Sequence, residues 1–471
     1  MIHASSFTRL PARFHARIEP RPIPAPELLA WNDTLARELR LESLADDRAG
    51  LARLLCGADT AADSPLLALV YAGHQFGHFV PQLGDGRAVL LGEARDRNGK
   101  RYDIQLKGAG RTPYSRAGDG KSSLGPVIRE YVLSEAMHHL GIPTTRALAA
   151  VATGEQVYRE DVLPGAVFTR VASSHLRVGT FEYFAARGDV EAVRLLAEYA
   201  IERHYPELAD EPSPHVAFLR RVAERQAGLV ADWMSVGFIH GVMNTDNTAI
   251  AGETLDYGPC AFMDEYRHDR VFSSIDRYGR YAYGNQAPVA QWNLARLAEC
   301  LLLVCDERPA LEEVIGEFPA RYEEAYLARM RRKLGLITAR DDDADLVADW
   351  LCHLENHDLD FTLAFRNLAT RAGARDESQY GEFEGRWRAR LREQDAGPGT
   401  VTAMMNSVNP LFIARNHRVE EAIRDAIDGD LSTFEELNVV LSRPFEEQPR
   451  FTHYAAAPQP HERVTQTFCG T

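Results

Sequence analysis

The chain has 471 residues, 45% apolar and 26% charged, an ordinary globular composition that can bury a large core. Lys plus Arg total 53 against 68 Asp plus Glu, a net charge of −15 that argues against a general nucleic-acid binder while allowing a local basic cleft. No apolar run reaches 18 residues and the six cysteines (Cys56, Cys260, Cys300, Cys305, Cys352 and Cys469) form no CxxC pair, which excludes a membrane-spanning helix, a disulfide scaffold and a zinc ribbon. Such cysteine usage fits a reducing compartment, so the expectation is a cytoplasmic monomer with no nucleic-acid or membrane partner.

In chain order, residues 1–23 carry Arg9, Arg13, Arg17 and Arg21 against Glu19 alone, the charge bias of a transit peptide. Pro11, Pro20 and Pro22 break any amphipathic helix there, which favours an extended arm packed on the fold. Residues 25–56 read as helical, with Asn32 or Asp33 as cap before Leu35, Leu39 and Leu41. From about 79 to 107 the pattern is strand-like: "RAVLLGEA" and "RYDIQLKG" flank Asn98-Gly99, a hairpin signal. Residues 122–140 predict a helix capped by Ser122 or Ser123 and stopped at Gly141 to Pro143.

Beyond about residue 185 helical periodicity dominates. Phe218, Leu219, Val222, Leu229, Val230 and Trp233 share one face of 214–236, and helical patterns recur at 289–305, 308–334, 343–372, 380–394 and 417–440. Between them, 236–264 is rich in Gly, Asn and Asp and reads as loop with short strands. The order predicts an α+β, two-lobed protein with a ligand cleft: an arm with helices over 1–70, a small strand-rich lobe over 71–185, and a helical lobe with a C-terminal extension over 186–471.

Four features of the sequence carry chemistry. Gly84, Gly86 and Gly92 followed or flanked by Arg87 would let backbone N–H groups approach a phosphate, although a glycine-rich hairpin alone is more often a plain turn. Lys107 ends a strand about twenty residues later, and Glu130 on the following helix is placed to pair with it, the lysine–glutamate arrangement of kinase folds. "GDGKSS" fails as a P-loop, because Ser115 stands where the first glycine belongs; Asp119, Gly120 and Lys121 form a polar loop instead. Arg170 and Arg177, seven residues apart after a strand-like "AVFTR", could hold the far end of a triphosphate.

The fourth and strongest constellation is "GFIHGVMNTDNTAIAGETLDYGP" over 237–259. Asn247 and Asp256 supply the hard oxygen ligands that a kinase-like site uses to chelate Mg²⁺ between phosphates. Val242 occupies the place of the catalytic Asp in the H-G-D loop of small-molecule kinases, and valine accepts no proton, so Asp246 is the carboxylate base candidate. The bland alternative is an Asn/Asp-rich turn.

Two histidine pairs at i,i+4 spacing, His74 with His78 and His353 with His357, could face one side of a helix, but neither is HExxH and zinc is disfavoured at both. Cys260 follows the Asp256 motif, and a disulfide from Cys469 in the tail would act as a redox gate; two unpaired thiols are the favoured alternative.

At these residues the chain resembles the selenoprotein O family of protein adenylyltransferases. The resemblance runs through "YAGHQFGHFVPQLGDGRA", "DIQLKGAGRTPYSRAGDGKSSLGPVIREYVLSEAM", "GVMNTDN", "DYGP", "NPLFIARNH" and the terminal "FCGT". It implies a bilobal protein-kinase-like fold with a helical extension, ATP bound in a flipped orientation, and AMP transfer to Ser, Thr or Tyr hydroxyls of proteins with release of pyrophosphate. By resemblance, Lys107 and Glu130 are the lobe-linking pair, and Gly84, Gly86, Arg87, Lys107, Asp119, Gly120, Arg170, Arg177 and Asp256 contact nucleotide. Asn247 and Asp256 then hold Mg²⁺ or Mn²⁺, Asp246 is the proton acceptor, and Cys469 is the family's C-terminal cysteine. Competing expectations are phosphoryl transfer on the same fold and a non-catalytic nucleotide-binding pseudokinase scaffold.

Overall fold

The computed structural model describes residues 1–61, 64–374 and 378–468. Among them one antiparallel sheet runs in the order His15–Ile18, Leu66–Leu69, Ala88–Arg95, Arg101–Lys107, Val162–Ala172, Arg146–Tyr158, Glu27–Trp31. The two-residue strand Ser122–Ser123 pairs beside the start of Val162–Ala172. Both edge strands therefore come from the first 31 residues.

Strand alternation sorts the side chains between two cores. On one face Val89, Leu91, Ile104, Leu106, Val167 and Val171 pack with Leu35, Leu39, Leu51 and Leu55 from the helices Asp33–Glu38 and Arg48–Leu55. On the other, Leu90, Ala150 and Phe168 join the main core with Val127, Ile128 and Val132 of helix Leu124–His139. The second face of strand Arg101–Lys107 is polar yet buried: Asp103, Gln105 and Lys107 point away from Ile104 and Leu106 and toward the helical part.

Helix Leu124–His139 is buried all round, from Val127 to Met137 without a break. A helix without a solvent face must pair its charges internally. Arg129 donates to the carbonyls of Gly258 and Cys260 at 3.0 and 2.5 Å, and Glu135 pairs with Arg146 at 2.8 Å. The C-terminal helices Asn416–Ile427 and Ser432–Leu441 return to cover it, with Tyr131 edge-on to Phe434 at 5.3 Å. No helix among the described residues is long and apolar enough to cross a membrane.

Several elements differ from expectation. The segment 25–56 is not continuously helical: Glu27–Trp31, between Pro26 and the Asn32 cap, is drawn into the sheet by pairing with 149–152. Asn32 does cap the next helix, accepting from Leu35 N at 3.0 Å. The predicted helix 343–372 breaks at Asp358, φ +51, and Asp360 caps the second half. That over 417–440 breaks at Gly429, φ +93. The long strand Arg146–Tyr158 and helix Pro398–Val408 went unpredicted.

Candidate active site

A cleft of about 830 Å³ opens between the sheet and the helical part. Gly84, Gly86, Arg87, Lys107, Asp119, Gly120, Arg170, Arg177, Asp246, Asn247 and Asp256 all line it, so residues scattered over 173 positions of sequence converge. Glu130 lies one layer behind, against Lys107.

Lys107 is the buried centre of the charge arrangement. Its Nζ is 2.5 Å from Glu130 Oε1 and 2.6 Å from Asp256 Oδ1, joining the sheet, the buried helix and the 256–259 segment. Burial alone would raise the Asp256 carboxyl; Lys107, Arg170 and Arg87 outweigh it and hold it far below the usual carboxylate range. Asp256 sits at φ +74, a left-handed conformation that aspartate tolerates better than most residues. His240 fixes this geometry from below: its Nε2 donates to Leu255 O at 3.1 Å while Nδ1 accepts from Val242 N at 3.3 Å.

The glycine turn is held from outside by the 112–115 loop. Thr112 Oγ1 donates to Asp85 O at 2.6 Å and Ser115 Oγ to Gly86 O. A Cβ on Gly84 would lie 2.5 Å from Tyr114 Cγ and one on Gly86 2.9 Å from Tyr114 O, so glycine is demanded by this close approach. Asp119 is paired bidentately with Arg159 at 3.0 Å, which fixes the polar loop beside Gly120 at the cleft rim.

Two arginines present guanidinium edges to the interior. Arg170 donates from Nε to Gln105 at 2.8 Å and Arg177 from Nη1 to Asp246 O at 3.0 Å, with the Arg177 guanidinium 4.2 Å over the Tyr71 ring. Arg170 Nη1 and Arg177 Nη2 are buried and have no hydrogen-bond partner among the described residues, although Arg177 Nη2 stands 3.9 Å from Asp85 Oδ1.

Asp246 occupies a one-turn 3₁₀ segment, Thr245–Asn247, in a loop clamped by buried amides. Gln226 Nε2 donates to Ala249 O at 2.7 Å, Asn293 Nδ2 to Met243 O at 2.9 Å, and Gln286 Nε2 to Phe238 O at 2.9 Å. Sequence reasoning missed these three; their signal was a polar amide on the apolar face of a helix. Burial pushes the Asp246 carboxyl up to about 7 against the opposing pull of Arg177. Its Oδ1 is buried and has no hydrogen-bond partner among the described residues.

Asn247 donates from Nδ2 to Val242 O at 3.0 Å, which commits its nitrogen to the loop and leaves the carbonyl oxygen as its free end. Together with the Asp256 carboxylate, one quarter exposed to the cleft, it provides hard oxygen donors of the kind Mg²⁺ or Mn²⁺ takes. No three His, Cys, Asp or Glu side chains among the described residues form a metal-holding group.

The histidine pairs have other places. His74 and His78 stand on paired strands, Gly73–Gln75 and His78–Val80, rather than on a helix. His353 and His357 stack at 4.2 Å, and His357 Nδ1 donates to His353 O at 2.9 Å. Cys260 is buried with its thiol pushed up to about 12 by burial, and it donates to Tyr257 O at 3.3 Å. The tail returns beside it, with Thr467 Oγ1 donating to Pro259 O at 2.6 Å; Cys469 lies outside the described residues.

Convergent lysine, arginine and carboxylate groups in one cleft of an α+β protein have the chemistry that suits a phosphate-transferring enzyme. A model of the family described as "Protein adenylyltransferase SelO" matches residues 1–442. The chain is 54% identical to "Protein nucleotidyltransferase YdiU" of Rhodopseudomonas palustris (strain ATCC BAA-98 / CGA009), over 99% of this chain and 98% of that protein. It is 55% identical to the protein of the same name from Rhizobium meliloti (strain 1021), over 99% of each chain. The chain belongs to the SelO family of protein adenylyltransferases.

Proposed function

We propose that the cleft binds ATP with a divalent cation and transfers AMP to hydroxyl groups of protein substrates. The observation that carries the reading is the convergence in one cleft of three buried polar atoms with no hydrogen bond among the described residues: Arg170 Nη1, Arg177 Nη2 and Asp246 Oδ1. Two cationic edges and one carboxylate oxygen with unused hydrogen-bonding capacity suit an anion and a proton donor meeting there.

In this reading Arg87, Lys107, Arg170 and Arg177 hold the phosphates, and the turn Gly84–Gly86 lets the nucleotide approach the backbone. Asp119 and Gly120 form the rim on the nucleoside side. Asn247 and Asp256 would hold Mg²⁺, which when bound neutralises phosphate charge. Asp246 takes the acceptor's proton as the acceptor oxygen bonds to the α-phosphorus; the bond from the α-phosphorus to the α–β bridging oxygen breaks and pyrophosphate leaves. Catalysis is then positioning plus charge neutralisation, with Lys107 held in place by Glu130.

The strand-rich and helical parts, 71–185 and 186–471, are read as the two lobes of a kinase-like fold preceded by the 1–70 arm. The buried bond from Lys107 to Glu130, with Asp256 across the cleft, supports it. Val242 in place of a kinase aspartate favours AMP over phosphoryl transfer. The test is paired labelling with α-³²P-ATP or γ-³²P-ATP, Mg²⁺ and a cell extract, beside Asp246→Ala. Label from the α position alone, lost in the variant, is expected; label from γ alone would make the protein a kinase, and no label would leave a nucleotide-binding scaffold.

A further inference from the structure

The hairpin 73–80 stands apart from the main sheet and lies on the Asp246 loop. Its turn, Phe76 and Gly77, has φ of +52 and +84. Separate bonds pin it down: His74 N donates to Thr245 Oγ1 at 2.7 Å, and Phe76 N to Asn244 Oδ1 at 3.1 Å. His74 Nδ1 donates to Glu182 Oε1 at 2.5 Å, and Thr245 Oγ1 donates to the other oxygen of the same carboxylate. The buried Glu182 thus ties hairpin and loop together from one helix, Val178–Ala185, and its two oxygens are both satisfied.

The close fit has a direct geometric result at Asp246. A Cβ on Gly73 would lie 2.5 Å from Asp246 Oδ1, so the hairpin backbone sets where the carboxylate can stand. Gln75 and Phe76 face the same cleft, and Gln75 Nε2 is 3.4 Å from Asp246 Oδ2, beyond a well-formed hydrogen bond. The carboxamide is therefore next to the base and only loosely engaged by it, with a free capacity to donate and accept.

We propose that hairpin 73–80 is the acceptor side of the site: Gln75 binds the hydroxyl-bearing side chain beside Asp246, and His74 positions that hairpin through Glu182 and Thr245. The inference rests on the AMP-transfer reading above. Gln75 is then a substrate contact and His74 a positioning residue, and neither touches the phosphates.

The test measures AMP transfer from ATP to a synthetic pool of Ser-, Thr- and Tyr-containing peptides, with ATP affinity measured separately by calorimetry. Gln75→Ala is expected to raise KM for the peptides about tenfold with ATP affinity within twofold of the parent. His74→Ala is expected to lower kcat tenfold or more at unchanged ATP affinity, and His74→Gln, which still carries an N–H for Glu182, to recover most of it. Gly73→Ala gives the same kcat loss by displacing Asp246 and serves if His74→Ala does not fold. Parent-like kinetics in both Gln75→Ala and His74→Ala, or loss of ATP affinity in step with activity, would overturn the inference. A parent enzyme that transfers no AMP would instead overturn the reading beneath it.

Discussion

Arg170 stands directly across the sheet from Gln105 and donates its Nε to the Gln105 carboxamide oxygen at 2.8 Å, on a face buried from solvent. The same carboxamide donates from Nε2 to Asp85 at 3.0 Å, so one glutamine orients a cleft arginine and the carboxylate of the glycine turn. Gln105→Leu keeps the volume and removes both bonds. It is expected to raise KM for ATP about tenfold and to cost about 2 kcal/mol of stability, because Arg170 Nε loses its acceptor and Asp85, still held by Leu69 N, loses one of its donors. Steady-state kinetics and thermal melting check the two effects, and an unchanged KM would mean that Arg170 needs no orienting partner.

Arg203 is 1% exposed and pairs with Glu93 at 2.7 Å and Asp103 at 2.6 Å, while Ser6 of the arm donates from its backbone N to Glu93 at 2.8 Å. Removing the arginine leaves two buried carboxylates facing each other. Arg203→Met is expected to destabilise by about 3–5 kcal/mol, whereas the triple change with Glu93→Gln and Asp103→Asn restores much of the loss. Denaturant midpoints of the two variants should differ clearly; equal midpoints would sink the argument.

Lys333, at the end of helix Arg308–Lys333, is buried with no carboxylate partner among the described residues and packs 4.2 Å from the Phe365 ring centre. Burial lowers its amine to about 7. The unfolded chain holds that proton up to an ordinary lysine range, so between pH 7 and about 10 it binds more protons than the folded one, and stability rises with pH. Below pH 7 both states are protonated and the penalty is complete. Lys333→Met should therefore be more stable than the parent by about 2 kcal/mol at pH 7, with the advantage shrinking toward pH 10. Melting curves across that range test the sign.

Cysteine reactivity should follow burial. Cys352 is exposed, whereas Cys260 is buried and its thiol is pushed up to about 12. Iodoacetamide at pH 8 should label Cys352 at least tenfold faster than Cys260 in the folded protein, and equally fast in urea. Peptide mass spectrometry reads both rates, and rapid native labelling of Cys260 would contradict the burial seen here.

Much of the site could be read in the sequence because its residue types are chemically narrow. Asn247, Asp256 and the Gly84 turn announce themselves by composition, and strand alternation placed Lys107. What stayed hidden depended on tertiary contact. Gln226, Gln286 and Asn293 look like ordinary helix residues until their amides meet the carbonyls of the 238–249 loop. Strand Glu27–Trp31 was concealed because its apolar run suits either state, and only pairing with 149–152 decides it. Asp358 and Gly429 broke two helices by single left-handed residues inside otherwise periodic stretches.

The sheet's two edge strands, His15–Ile18 and Glu27–Trp31, have a consequence for synthesis. They are made first, but the second has no partner until Arg146–Tyr158 has left the ribosome. The nascent chain must therefore carry Glu27–Trp31 unpaired while the middle of the sheet is still being translated, whereas His15–Ile18 finds Leu66–Leu69 before the middle strands are made, and the sheet is completed last at the Glu27–Trp31 edge.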